Sequence, residues 1–134
     1  MSMSAGEVHR RLVEMYPRLV AAGRFDEGLA LIDPAVVDHR GGADGDHHGI
    51  GAWRRKWESM LGGADEFGDL AVTVERNVSA GDLSANLYRS RGTQPASGRR
   101  YEVWAMDLVQ VRDGKVVEHW AIRDTAAVRH QLGL

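Results

Sequence analysis

The hydrophobic period of this chain changes once, near Leu70. Before that point Val8, Leu12, Met15 and Leu19 recur at spacings of four, three and four, with Glu7, Arg10, Arg11, Glu14 and Arg18 between them. Such spacing builds one apolar face of a helix. After it Leu70, Val72, Val74, Arg76 and Val78 alternate with mostly polar residues. Period two is the mark of strands with distinct faces. Helices first and strands afterwards predict an α+β domain: a curved antiparallel sheet wrapped around N-terminal helices.

Local signals divide the chain further. Pro17 is expected to kink or end the first helix, because proline lacks an N–H and clashes with the preceding turn. Gly23 closes it, and "RFDEGLALI" starts a second short helix that Asp33-Pro34 ends. "AVVDH" reads as a short strand, and "RGGADGDHHGIG" (40–51) as a glycine-rich loop. A third helix near Ala52 to Leu61 groups Trp53, Trp57, Met60 and Leu61 on one face. Four strands follow, turning at "AGD", "QPASG" and "RDG", and "TAAVRHQLGL" makes a short helix or tail.

Composition narrows the function classes. A chain of 134 residues suits one domain over 1–134 and can bury a core without a staple. With no cysteine, thiol catalysis, disulfides and cysteine-based zinc sites are excluded. A formal charge of -2 leaves no basic footprint for nucleic acid. No apolar run suits a signal peptide or a membrane span, so a soluble, cytoplasmic protein without a membrane partner is expected.

The last hairpin, "YEVWAMDLVQVRDGKVVEHWAI", carries two ionisable residues among apolar ones. A three-residue loop (Arg112, Asp113, Gly114) puts Asp107 opposite His119, Val109 opposite Val117 and Ala105 opposite Ala121. Trp104, Met106, Trp120 and Ile122 then share the other face, as burial favours. A two-residue Asp113-Gly114 loop competes, and it sets Asp107 opposite Trp120 with His119 on the other face. In the first register both faces are apolar, so helices cover one and a second subunit covers the other, giving a homodimer.

Asp107 and His119 form either a cross-strand polar pair or an acid–base pair beside the space left by Ala105 and Ala121. Asp38, His39, Asp44, Asp46, His47 and His48 match no defined metal spacing, so they read as a polar loop and no metal is expected. Within that group His39 ends an apolar segment and is a candidate for a pocket rim. The tryptophans read as packing, and Arg89, Arg91, Arg99 and Arg100 as a solvated edge.

"DGKVVEHW" at 113–120, followed by Asp124 and the terminal "QLG", resembles the SnoaL-like polyketide cyclases, as do "DPAVVDH", the "HG" loop and a strand ending "RGT". The resemblance spans nearly the whole chain. It implies the ketosteroid-isomerase-like cone fold, with a deep apolar pocket and usually a dimer. Characterised members close a ring of an aromatic polyketide by intramolecular aldol condensation, without metal or cofactor. Their acid–base aspartate would fall at Ala121 and their helper histidine at Asp107, so this sequence departs from the pattern at both positions.

The expectation is a cofactor-independent enzyme for a hydrophobic or aromatic small molecule. Asp107 and His119 would be catalytic, with His39, Val103, Ala105, Val117 and Ala121 lining the substrate site. The alternatives are a hydroxylase-type polyketide-tailoring relative and a non-catalytic ligand-binding cone protein.

Overall fold

A computed structural model describes residues 3–39, 45–58 and 68–134. Helix α1 (Ala5–Ala22) buries Ala5, Val8, Leu12 and Leu19 along one stripe. Pro17 lies inside α1 and does not end it, contrary to the boundary reading. The buried flanks Val13 and Leu19 offset the lost backbone bond. Gly23, at φ 65°, closes the helix, and the Arg24 N–H donates to the Leu19 carbonyl at 2.9 Å.

Helix α2 (Asp26–Leu29) is a single turn. Strand β1 (Ile32–His39) begins earlier than "AVVDH" suggests and takes in Pro34. Its ladder to β6 is irregular between Ile32 and Val37, where proline supplies no N–H. Part of the glycine-rich segment is also a strand: β2 (Asp46–His48) pairs antiparallel with β1. Residues 40–44 of that segment lie outside the described residues. Helix α3 (Ile50–Glu58) buries Trp53 and Trp57, while Met60 and Leu61 fall outside the described residues.

Strands β3 (Gly68–Ala80), β4 (Leu83–Thr93), β5 (Arg100–Arg112) and β6 (Lys115–Arg123) form the predicted meander. The sheet order is β2-β1-β6-β5-β4-β3, with β1 and β6 parallel and every other pair antiparallel. Helix α4 (Thr125–Leu132) is capped by Asp124, whose carboxylate accepts from the Ala127 N–H at 2.9 Å.

The last hairpin corrects the expected register. Asp113 (φ 52°) and Gly114 (φ 75°) make the two-residue turn, with Arg112 opposite Lys115. Two successive positive φ values are what a type I′ turn requires. The ladder then slips by one residue: Val111 pairs with Val116, but Gln110 pairs with Glu118. Val117 is the extra residue of a bulge. Beyond it Val109 faces His119 and Asp107 faces Ala121. Without that slip His119 would point to the other side of the sheet.

On the inner face Tyr101, Val103, Ala105, Asp107, Val109 and Val111 are all buried. The outer face is open in the single chain: Trp104, Met106 and Ile122 are all exposed. Two apolar clusters occupy the inner side. One joins α1 and α3 to the turn end of β5 and β6 through Leu12, Trp53, Trp57, Val109 and Val116. The other seats Val128 and Leu132 of α4 on Tyr101 and Val103.

Candidate active site

Between those clusters lies a cavity of about 590 Å³. Helix α1 contributes Leu12, Val13 and Tyr16 to its wall, and α3 contributes Trp53, Lys56 and Trp57. The sheet adds Val72, Tyr88, Asp107, His119, Ala121 and Arg123, and α4 adds Val128, Arg129 and Leu132.

A line of polar side chains runs through the deep wall. Lys56 Nζ donates to Asp38 Oδ2 at 2.8 Å. Asp38 Oδ1 is 2.8 Å from His119 Nδ1, and His119 Nε2 is 3.1 Å from Asp107 Oδ2. Asp107 Oδ1 is 2.7 Å from His9 Nε2, and His9 Nδ1 is 2.9 Å from Ser84 Oγ. Asn77 Nδ2 donates to Ser84 Oγ at 2.8 Å. His9 and Ser84 are fully buried.

Hydrogen-bond accounting sets the protons. An ionised carboxylate only accepts. His119 faces a carboxylate with each ring nitrogen, so the Asp38–His119–Asp107 unit holds one proton beyond a neutral imidazole and two carboxylates. At the other end Ser84 accepts from Asn77 and can donate to His9 Nδ1. In that tautomer His9 donates Nε2–H to Asp107. Along the line from Lys56 through Asp38 and His119 to Asp107 and His9, every carboxylate oxygen has a hydrogen-bond partner, as buried polar groups require.

Burial pushes the Asp107 carboxyl up, but the hydrogen bonds from His119 and His9 outweigh it and hold the group below the usual carboxylate range. Asp38 behaves alike: burial raises it, and the His119 hydrogen bond with the Lys56 charge takes it well below that range. Burial raises the Tyr88 phenol, and the Asp107 charge adds to this, so Tyr88 stays protonated as a donor facing the cavity. Trp53 braces the site, with His119 at its edge (5.0 Å between centroids) and Lys56 Nζ 3.5 Å over its face.

This arrangement leaves the two central groups unequal. Both nitrogens of His119 are occupied. A carboxylate offers about four acceptor positions, of which Asp107 uses two. Asp107 is therefore the member of the pair with capacity left to take a proton from a molecule in the cavity.

The residues singled out from sequence fall in different places. Asp107, His119 and Ala121 line the cavity, with Asp107 directly across from Ala121 and two rungs away from His119. Val103 packs under α4, Ala105 is buried between Tyr88 and Arg123 in the ladders, and Val117 forms the bulge; the cavity wall includes none of the three. His39 lies at the sheet rim, stacked on Trp120 at 4.8 Å and bound to Asp46 at 3.0 Å and Glu118 at 2.9 Å. The structure adds His9, Asp38 and Lys56. His9 carried one usable signal: it is the polar residue inside the stripe Ala5, Val8, Leu12, Val13. Among the described residues no cluster of three or more His, Asp or Glu side chains could hold a metal ion.

Comparison with known proteins agrees with this architecture. Wild-type IdmH, a putative polyketide cyclase from Streptomyces antibioticus, is 29% identical, with a TM-score of 0.76 over 95% of this chain and 99% of its own. An IdmH loop-truncation variant is 31% identical, with a TM-score of 0.74 over 94% and 99%. A protein with a ketosteroid isomerase-like fold from Catenulispora acidiphila, 14% identical, has a TM-score of 0.77 over 96% and 93%, a likeness of fold alone. No curated protein matches the chain. The SnoaL-like domain profile matches residues 13–119, most of the length, and the chain belongs to the SnoaL-like family.

Proposed function

We propose that this protein is a small-molecule enzyme of the polyketide-cyclase type, acting by proton abstraction next to a carbonyl and ring closure within one substrate. The observation that carries the reading is Asp107: a carboxylate at the wall of a largely apolar cavity, held by two imidazoles and keeping free acceptor positions. A carbon between two carbonyls, as in a poly-β-keto chain, is acidic enough for a carboxylate base.

In the proposed reaction Asp107 takes the C–H proton, and the resulting enolate oxygen accepts a hydrogen bond from the Tyr88 hydroxyl. The enolate carbon attacks a second carbonyl of the same molecule, forming the new C–C bond. The alkoxide so produced receives the proton from Asp107. His119 and His9 hold the carboxylate in place through the cycle. Atoms and charges balance with these groups alone, so the proposed reaction is cofactor-independent.

Asp107→Asn tested on a panel of poly-β-keto esters should lower turnover by about 10²–10⁴-fold, the usual share of a general acid–base group. Undiminished turnover removes Asp107 from the chemistry. Oxygen consumption with a partner reductase would instead support a hydroxylase-type reaction. Tight binding of aromatic ligands without turnover, unchanged by Asp107→Asn, would support a binding module.

A further inference from the structure

Arg123 lies on the cavity face of β6. It pairs with Ala105, a buried inner-face residue, and it follows His119 and Ala121 at alternate positions along the strand. Asp107 stands level with Ala121, so at roughly 3.3 Å per residue its backbone is about 7 Å along the strands from that of Arg123, with the small Ala121 leaving space beside both. Arg129 of α4 also lines the cavity.

The charges are distributed unevenly. Among the described lining residues Asp107 is the only carboxylate side chain, and it lies at the deep end. Lys56 is bound to Asp38. Within the described residues neither Arg123 nor Arg129 makes a side-chain ion pair. Burial raises both the Tyr16 and Tyr88 phenols, and the Arg123 charge pulls against it at each, which places that charge within reach of both cavity tyrosines. The rest of the wall mixes the apolar Val72, Val128 and Leu132 with the uncharged polar Ser90, Gln94 and Thr125.

We propose that Arg123, assisted by Arg129, binds a carboxylate at the outer end of the substrate, so that the substrates of this cavity are flat polyketide-derived acids rather than neutral esters. The inference rests on the cavity being the substrate site. A guanidinium presents paired N–H donors that match the two oxygens of a carboxylate. The spacing from Asp107 sets the measure: it stands level with Ala121, two residues from Arg123, so the anion and the acidic carbon belong about one to two rings apart in the substrate. The arginines fix which end enters first, so the acidic carbon meets Asp107.

The test is binding, which needs no turnover. Anthraquinone-2-carboxylate and its methyl ester are titrated by quenching of tryptophan fluorescence, since Trp53 and Trp57 line the cavity. The acid should bind roughly three- to tenfold more tightly than the ester, a range set by a partly solvated ion pair. The preference should shrink as salt rises. Arg123→Gln should remove most of it and leave the ester's affinity unchanged, and Arg129→Gln should remove part. Asp107→Asn should keep it, which separates this inference from the catalytic one. Equal affinities, binding by neither probe, or a preference that survives both arginine substitutions overturns it.

Discussion

Asp107 of β5 and Ala121 of β6 stand directly opposite each other on one rung of the last ladder. Opposed Cβ atoms in an antiparallel pair lie about 4.5–5.5 Å apart. The family resemblance puts its acid–base aspartate at position 121 and its helper histidine at 107. In this chain the carboxylate has changed strands without leaving the rung, and His119 remains beside it. If the rung matters more than the strand, moving the carboxylate back should restore function. Asp107→Ala should lose about 10²-fold or more in turnover, and adding Ala121→Asp should regain at least about tenfold. A double variant as inactive as Asp107→Ala shows that the environment of β5 is required.

His9 touches Asp107 and not the cavity, so its expected role is positioning. His9→Phe removes a donor from a carboxylate and leaves Ser84 with Asn77 alone, at a cost of about 1–3 kcal/mol in stability. The diagnostic readout is the pH profile. Losing the donor raises the Asp107 pKa, so the acidic limb of kcat/KM should move to higher pH. His9→Gln, which can still offer an N–H, should move it less. A fall in Tm with the limb unmoved would reduce His9 to a packing role.

Much of the fold was legible from the change of period at Leu70, because burial on one face leaves a pattern that needs no knowledge of contacts. The pairing of the last hairpin was harder. Asp113-Gly114 suits the turn it forms, but the slip at Val117 is a bulge, and no residue type announces one. The three-residue loop was incorrect, yet it put Asp107 and His119 on one face, because two offsets of the same parity present the same residues. The rest of the site stayed hidden for a different reason. Asp38, Lys56 and His9 reach the pair from β1, α3 and α1, and such long-range meetings have no local signature. Asp38 was read with the polar loop next to it. His9 was absorbed into the helix pattern.

Stability should fall on both sides of neutrality, through different groups. Asp38 and Asp107 are held below their ordinary range, so their contribution is fully present above the unfolded carboxylate value of about 3.9 and is lost as pH falls through the lower folded values. His39 is raised, chiefly by its hydrogen bond to Glu118, with burial opposing and Asp46 assisting. Its contribution is fully present below about 6.5 and is lost as pH rises through the higher folded value. Urea unfolding across this range should show both limbs. His39→Gln should flatten the alkaline one and leave the acidic one unchanged. An alkaline limb of undiminished slope in His39→Gln would mean that another group governs it.

The outer face of the same two strands carries Trp104, Met106 and Ile122 at 47%, 49% and 76% exposure. Met106 pairs with Ile122, and Arg89 lies over Trp104, its guanidinium carbon 4.2 Å from the ring centroid. A contiguous apolar patch on a sheet calls for a cover, and a second copy of the chain is the expected one. Light scattering at micromolar concentration should show a dimer, and Met106→Glu and Ile122→Glu should each yield a monomer. A monomeric wild type at that concentration rules the partner out. The pleat adds a further consequence, because Asp107 and Ala121 point to the opposite side from their neighbours Met106 and Ile122. Breaking the dimer from the outer face should therefore leave the cavity intact, and the monomeric variants should keep their affinity for an aromatic ligand. Loss of that affinity together with dissociation would mean that the partner maintains the curvature of the sheet, and with it the space in front of Asp107.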